Sequence, residues 1–221
     1  MSELLESIEL QTGPHPEAAV IWMHGLGADG SDFVPIVPEL GQLPRAVRFV
    51  FPHAPMRPVT INAGYVMRAW YDIKALAIDR REDEVGVRAS HALVETLIAR
   101  ERSRGIPVER LVLAGFSQGG AIALFTGLRQ PERLAGIMAL STYVPVAAAL
   151  AREEQAANHD TPIFMAHGTE DPVVPYRLGT SSRDLLRELG HAVEWHDYPM
   201  PHAVCPDEIA DIAAWLARVL A

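Results

Sequence analysis

Six short segments of the chain are rich in apolar and β-branched residues, and most lack a regular alternation of apolar and polar positions. This pattern is typical of parallel strands that are covered on both faces. It predicts strands at 18–24, 46–51, 110–115, 134–140, 161–167 and 192–198. Four longer segments between and after them predict helices at 82–104, 118–129, 179–189 and 207–220, the first of which ends before Gly105 and Pro107.

The alternation of strands and helices predicts an α/β fold, a doubly wound and mostly parallel sheet with helices on both faces. Ligands of such sheets bind beyond the carboxyl ends of the strands. A chain of 221 residues is typical of one domain, so we expect a single domain over 1–221. The least regular stretch, 52–81, carries Trp70 and Tyr71. It is either the wall of a substrate site or a long surface loop with a few packed aromatic residues.

Composition and charge narrow the range of possible binding partners. The formal net charge of −9 argues against nucleic acid, whose phosphates need Lys and Arg, and against docking on an anionic membrane by charge. No apolar run approaches the roughly 18 residues that span a bilayer, and the first residues are acidic rather than those of a secretion signal. The single cysteine, Cys205, cannot form an internal disulfide. We therefore expect a cytoplasmic protein with no nucleic-acid partner and no integral membrane association.

The strongest chemical signal is the segment G-F-S-Q-G-G at 115–120, which follows a predicted strand and precedes a predicted helix. This is the G-x-S-x-G motif in the context that gives it meaning. A sharp strand-to-helix turn strains the serine backbone, and glycines at both ends remove side chains that would clash there. The turn predicts Ser117 as a nucleophile, with the backbone N–H of Gln118 facing a developing oxyanion.

A serine hydroxyl needs a general base that is oriented by a carboxylate, and on this kind of turn the chain order is Ser, acid, His. Asp171 follows a predicted strand end, where the acid belongs, whereas Asp160 precedes that strand. Spacing alone does not exclude the adjacent Glu170, although we favour Asp171. His202 lies between the last strand and the last helix, in the loop where the base is required. His167, at a strand end, is interpreted as a residue that braces its loop.

A second oxyanion donor should come from an early loop after a strand. The segment H-G-L-G at 24–27 fits, and we assign the backbone N–H of Leu26 to this role beside that of Gln118. A phosphate-binding turn is the alternative, but the full G-x-G-x-x-G pattern and a P-loop lysine are missing. The histidines and the cysteine show no H-E-x-x-H or C-x-x-C spacing, so no metal site is predicted.

Further segments carry a family resemblance: H-G-L-G-A-D-G at 24–30, F-P-H-A-P at 51–55, R-P-V-T at 57–60, A-W-Y-D at 69–72, the serine motif, H-G at 167–168 and D-P-V-V-P at 171–175. Together they resemble the acyl-protein thioesterase and bacterial carboxylesterase (phospholipase/carboxylesterase) family of α/β hydrolases. The resemblance implies an α/β-hydrolase fold with a reduced lid, a triad of Ser117, Asp171 and His202, and an oxyanion hole from Leu26 and Gln118. It also implies a homodimer. The neighbours of the base, Pro201 and Ala203 among them, depart from the family pattern, which bears on substrate preference.

The expected function is therefore a serine carboxylesterase that acts on a small ester or acyl substrate through an acyl-enzyme and needs no cofactor. Acyl-protein thioesterase or lysophospholipase activity is the alternative, and a non-catalytic binding protein on a hydrolase scaffold is a remote one. The mostly apolar stretch 73–78 suggests an acyl channel lined by Leu76, with Trp70 as a second pocket residue. A packed surface turn is the competing interpretation of this stretch.

Overall fold

The structure, a computed structural model, describes residues 4–74 and 82–221. Within these residues, seven strands form the central sheet: β1 Ser7–Gln11, β2 Ala18–Met23, β3 Val47–Pro52, β6 Leu111–Phe116, β7 Gly136–Leu140, β8 Ile163–Gly168 and β9 Val193–Tyr198. Two more strands, β4 Met56–Val59 and β5 Tyr65–Arg68, form a separate antiparallel hairpin. The central sheet has the order β1-β3-β2-β6-β7-β8-β9, and all of its pairs except β1–β3 are parallel.

The sheet is covered on both faces, which explains why its inner strands lack polar alternation. Five α-helices contribute to the two layers: α1 Glu84–Ser103, α2 Gln118–Gly127, α3 Ala147–Glu153, α4 Tyr176–Glu188 and α5 Pro206–Val219. The first four pack on one face through apolar residues that include Leu97, Ile122, Leu150 and Leu186. On the other face α5 packs through Ile212, Trp215 and Leu216, together with the 3₁₀-helix Val34–Leu40. The doubly wound α/β architecture is as predicted.

Parallel pairing brings the loops that follow the parallel strands to one edge of the sheet. Met23 of β2 pairs with Gly115 of β6, so the loops that follow these strands begin at the same level. The chain runs from β2 outward to β3 and then returns to the other side of β2, which makes the β2–β6 boundary the point where the order reverses. Ligand crevices of doubly wound sheets open at this point. The fold thus places the H-G-L-G loop beside the serine motif.

Several elements were not predicted. Strand β1 is antiparallel at the sheet edge, and the hairpin β4–β5 lies inside the stretch 52–81, whose sequence is the least regular of the chain. Both hairpin strands have only four residues, and one contains Pro58, so neither gives a strand pattern of its own. The seven-residue helix α3 was also missed. Within the described residues, no helix is both long and apolar enough to cross a bilayer.

Candidate active site

Ser117 lies on the turn between β6 and α2, in a backbone conformation that residues with a side chain rarely adopt. Its φ is 55° and its ψ is −120°. Hydrogen bonds from both sides hold the turn: the Ser117 N–H donates to the Leu140 carbonyl over 2.8 Å, and Thr142 Oγ1 donates to the Ser117 carbonyl over 2.6 Å. The strained turn expected from the G-x-S-x-G motif is therefore present, with Ser117 at its apex.

Two glycines let three segments of backbone meet at this turn. A Cβ at Gly119 would lie 2.1 Å from the Met23 carbonyl oxygen, so any side chain there would collide with β2. A Cβ at Gly25 would lie 3.4 Å from the Cβ of Ser117. The loop after β2 thus runs directly beside the serine, as the assignment of an oxyanion donor to this loop requires.

The backbone N–H groups of Leu26 and Gln118 have no hydrogen-bond acceptor within the part of the chain that the structure describes. Gln118 is the first residue of α2, so its N–H is one of the unpaired donors at the positive end of the helix. The neighbouring N–H of Gly27 is already occupied, because it donates to the Arg68 carbonyl over 2.9 Å. The two donors named from the sequence are thus available for a ligand.

Asp171 and His202 come from two loops that leave the sheet side by side. Strands β8 and β9 remain paired as far as Gly168 and Tyr198, so both loops begin at one level. Asp171 Oδ2 lies 2.6 Å from His202 Nδ1. Because a carboxylate accepts, Nδ1 carries the proton and the Nε2 lone pair remains for another partner. The Asp171 side chain is fully buried, and the His202 side chain keeps 15% of its surface exposed.

The second carboxylate oxygen of Asp171 is held by the backbone. Asp171 Oδ1 accepts from the N–H groups of Val173 and Val174 over 2.8 and 2.9 Å. The adjacent Glu170 is exposed to solvent. Spacing alone left the choice between these two acids open, and the geometry favours Asp171 because its carboxylate is the one that turns inward to His202.

His167 and Phe116 restrain the acid and the base from outside the pair. His167 Nε2 donates to the Val174 carbonyl over 2.9 Å and lies 3.5 Å from Asp171 Oδ2, so it braces the acid's loop as predicted. Burial lowers the pKa of His167. The Phe116 ring lies 4.6 Å from the His202 ring. Packing therefore adds to the restraint that the Asp171 carboxylate places on the imidazole.

Trp70 lies in the protein interior, next to the end of β2. Its side chain is fully buried, and its indole N–H donates to the His24 carbonyl over 2.9 Å. A ring without exposed surface does not favour the pocket-lining role expected from the sequence. The other predicted pocket residue, Leu76, lies outside the described residues, so its role stays a prediction.

The imidazole of His24 is a part of the site that the sequence analysis did not single out. Its Nε2 accepts from the Ala54 N–H over 3.0 Å, and its Nδ1 faces the Gly25 carbonyl at 2.7 Å. An amide N–H cannot accept and a carbonyl cannot donate, so the ring is neutral with its proton on Nδ1. Burial lowers the pKa of His24 to about 4. The histidine that opens H-G-L-G is the signal in the sequence, but the role predicted for this segment is that of the Leu26 backbone N–H alone.

Comparison with known proteins identifies the family of the chain. The profile of the Phospholipase/Carboxylesterase family matches residues 6–220. The chain belongs to this family. It is similar to acyl-protein thioesterase 1 of Neurospora crassa, with 45% identity over 92% of this chain and 87% of the relative. Acyl-protein thioesterase 1 of Mycosarcoma maydis is 42% identical over 96% of this chain and 95% of the relative.

Solved structures support the same assignment. Arabidopsis thaliana SOBER1 superposes with a TM-score of 0.87 at 31% identity, covering 92% of this chain and 99% of that one. Zea mays acyl-protein thioesterase 2 superposes with a TM-score of 0.84 at 27% identity, covering 98% and 99%. The family resemblance and the α/β-hydrolase fold expected from the residues are therefore confirmed, and this phospholipase/carboxylesterase family member is a hydrolase of the esterase kind.

Proposed function

We propose that this protein is a serine hydrolase that cleaves acyl thioesters, and oxygen esters alongside them, through an acyl-enzyme on Ser117. His202 serves as general base and acid, and Asp171 orients it. The observation that most supports this chemistry is the 2.6 Å contact between the buried Asp171 carboxylate and His202 Nδ1. It leaves Nε2 as the basic nitrogen, which is the tautomer that a serine nucleophile needs.

In the proposed cycle, Ser117 Oγ attacks the acyl carbon while its proton passes to His202 Nε2. The carbonyl oxygen becomes an oxyanion, which the N–H groups of Leu26 and Gln118 stabilise. The bond from the acyl carbon to sulfur or oxygen then breaks, and the leaving thiol or alcohol departs with the proton from His202. A water molecule repeats the sequence on the acyl-enzyme, which releases the carboxylic acid and restores the serine.

The choice of thioester as the leading substrate rests on the relatives. Two proteins named acyl-protein thioesterase 1 share 45% and 42% identity with the chain over most of its length. This favours the alternative raised from the sequence over the carboxylesterase interpretation. The triad itself does not discriminate, because thioester and ester hydrolysis use the same acyl transfer.

We also propose that the whole chain is one catalytic domain. Strand β1 near the start pairs with β3, and the loop after β9 near the end supplies His202. Ser117 comes from the middle of the chain. A site that draws on segments this far apart supports one folding unit.

The test uses the purified protein and its Ser117→Ala variant. Both are assayed on an S-palmitoylated peptide, on the matching O-palmitoylated serine peptide, and on p-nitrophenyl esters from acetate to palmitate. We expect hydrolysis of the thioester peptide at a higher kcat/KM than the oxygen ester, and loss of all activity in the variant. Hydrolysis of the esters without hydrolysis of the thioester would favour carboxylesterase activity over thioesterase activity. Equal rates in both proteins would remove Ser117 from the mechanism.

A further inference from the structure

Gln118 contributes its side chain to a different set of contacts from its backbone. Its backbone N–H has no acceptor among residues 4–74 and 82–221, whereas its buried side-chain amide pairs with the main chain of the segment after β5. Gln118 Oε1 accepts from the Trp70 N–H over 3.0 Å, and Nε2 donates to the Tyr71 carbonyl over 2.9 Å. This pairing fixes the amide orientation, because the Trp70 N–H can only donate and the Tyr71 carbonyl can only accept.

Trp70 is in turn bound by three separate elements. Its N–H meets Gln118 of α2, its carbonyl accepts from Ser90 Oγ of α1, and its indole N–H donates to the His24 carbonyl at the end of β2. All three of its polar groups are thus satisfied in a fully buried residue. Buried polar groups that are completely paired fix one arrangement, since any displacement leaves a donor or acceptor without a partner.

His24 carries the connection to the second oxyanion donor. Its Nδ1–H donates to the Gly25 carbonyl over 2.7 Å. The Gly25 carbonyl and the Leu26 N–H belong to the same planar trans peptide and point in opposite directions. Holding the carbonyl therefore sets the direction of the N–H. The imidazole is itself anchored, because its Nε2 accepts from the Ala54 N–H over 3.0 Å.

We propose that Gln118, Trp70 and His24 form a positioning bracket that holds the two oxyanion donors, the N–H groups of Gln118 and Leu26, at a fixed separation and direction. The proposal rests on the proposed acyl-transfer function. None of the three bracket side chains touches the reacting atoms in this scheme, so they are positioning residues. The bracket acts on the transition state, where the oxyanion forms, and little on the bound ester.

The test compares Gln118→Met, which keeps the length of the side chain but removes both of its hydrogen bonds, with Trp70→Phe, which removes the indole N–H and part of the ring but leaves the backbone hydrogen bonds of residue 70 in place. Gln130→Met, at a second buried glutamine whose side chain bonds Glu95, is the matched control. For p-nitrophenyl butyrate we expect kcat to fall about 10- to 100-fold in Gln118→Met, with KM changed less than about twofold. In Trp70→Phe kcat should fall about fivefold, and in the control variant kcat should equal that of the parent.

A trifluoromethyl ketone with a short alkyl chain reads the oxyanion hole directly, because its adduct with the serine carries the oxyanion. Its inhibition constant should rise in Gln118→Met and Trp70→Phe by the same factor by which kcat/KM falls. In the double variant the loss should stay close to that of Gln118→Met alone, since both act through one chain of contacts. Gln118→Glu gives a further readout: its protonated carboxyl can accept from Trp70 and donate to Tyr71, so its activity should fall relative to Gln118→Met as pH rises.

The bracket is overturned if Gln118→Met and Trp70→Phe keep kcat and the ketone inhibition constant within twofold of the parent, or if only KM rises. Trp70→Phe keeps an aromatic ring and both backbone hydrogen bonds at position 70, so it keeps the proposal testable if Gln118→Met does not fold. A parent protein that neither hydrolyses the substrates nor reacts with a fluorophosphonate at Ser117 would instead reject the proposed function. An active parent with unaffected variants rejects the bracket alone.

Discussion

The two halves of the candidate site are built in different ways. The elbow half comprises the loop after β2, the turn at Ser117 and residues 69–71, and it is held by buried main-chain contacts and close glycine approaches. The base half comprises the loops after β8 and β9 and the first turn of α5. It depends on a contact between two side chains, Asp171 and His202, one of which is partly exposed. The proposed oxyanion donors thus lie where buried side chains bond to the main chain, whereas the proposed base is a side chain that is partly exposed.

This difference makes the base half sensitive to the loss of a single side chain. Asp171→Asn should lower kcat by roughly 10³- to 10⁴-fold, because an amide no longer stabilises the imidazolium and favours the wrong tautomer of His202. The measurement is kcat on p-nitrophenyl butyrate. Glu170→Gln, at the exposed neighbouring acid, should match the parent. An equal loss in both variants would contradict the assignment of the acid.

The base half should also be destabilised at alkaline pH. Burial of Glu208 in the first turn of α5 raises its pKa from 4.5 to about 8. The folded state then keeps a proton that the unfolded state loses, so stability is full below pH 4.5 and falls as pH rises to about 8. At pH 8.5 the free energy of unfolding of Glu208→Gln, measured with urea, should exceed that of the parent by up to about 4 kcal/mol. Near pH 5 the two free energies should differ little. Parallel pH curves for the two proteins would refute this.

The elbow half should respond to pH in the opposite direction. The pKa of His24 is lowered by burial from 6.5 to about 4, so the unfolded state binds the extra proton first. Its contribution to stability is present above pH 6.5 and is lost as pH falls toward 4, by about 3 kcal/mol in total. Urea unfolding at a series of pH values from 7 to 4 measures how steeply the free energy of unfolding falls with pH. His24→Asn should be less stable at pH 7 but should show a shallower acid decline, and an unchanged slope would exclude His24 as its source.

The smallest expected effect comes from a substitution in the elbow half that changes a side chain but keeps the proposed backbone donor. Leu26→Ala should leave kcat/KM on p-nitrophenyl butyrate within about twofold of the parent, because the proposed donor is the main-chain N–H. The measurement is a direct kinetic comparison at constant pH, with thermal unfolding of both proteins as the control for folding. A hundredfold loss without loss of stability would mean that the side chain itself contacts the substrate.

The same division explains what the sequence could predict. The elbow half depends on local backbone chemistry, so the segment 115–120 was sufficient to locate Ser117 on a strand–turn–helix. In the base half, chain order and the positions of strand ends led to Asp171 and His202. The choice between Asp171 and Glu170 depends on which side chain turns inward, and spacing carries no information on that.

Contacts between distant segments were beyond sequence reasoning. The pairing of the Gln118 amide with the main chain at 70–71 joins positions almost fifty residues apart, and no periodicity marks it. For the same reason Trp70 was expected on a pocket wall although it is buried. The strands β4 and β5 were missed because short, partly exposed strands with a proline give little pattern.

The positive φ of Ser117 has a consequence for how such a protein evolves. A residue held in this conformation costs of order 1–3 kcal/mol, which the rest of the fold must offset. Glycine at position 117 would relieve the strain and yield a more robust protein that has lost its proposed nucleophile. A selection for thermal resistance alone would therefore favour inactive descendants at this position, and a search for stabilised variants has to score turnover at every round.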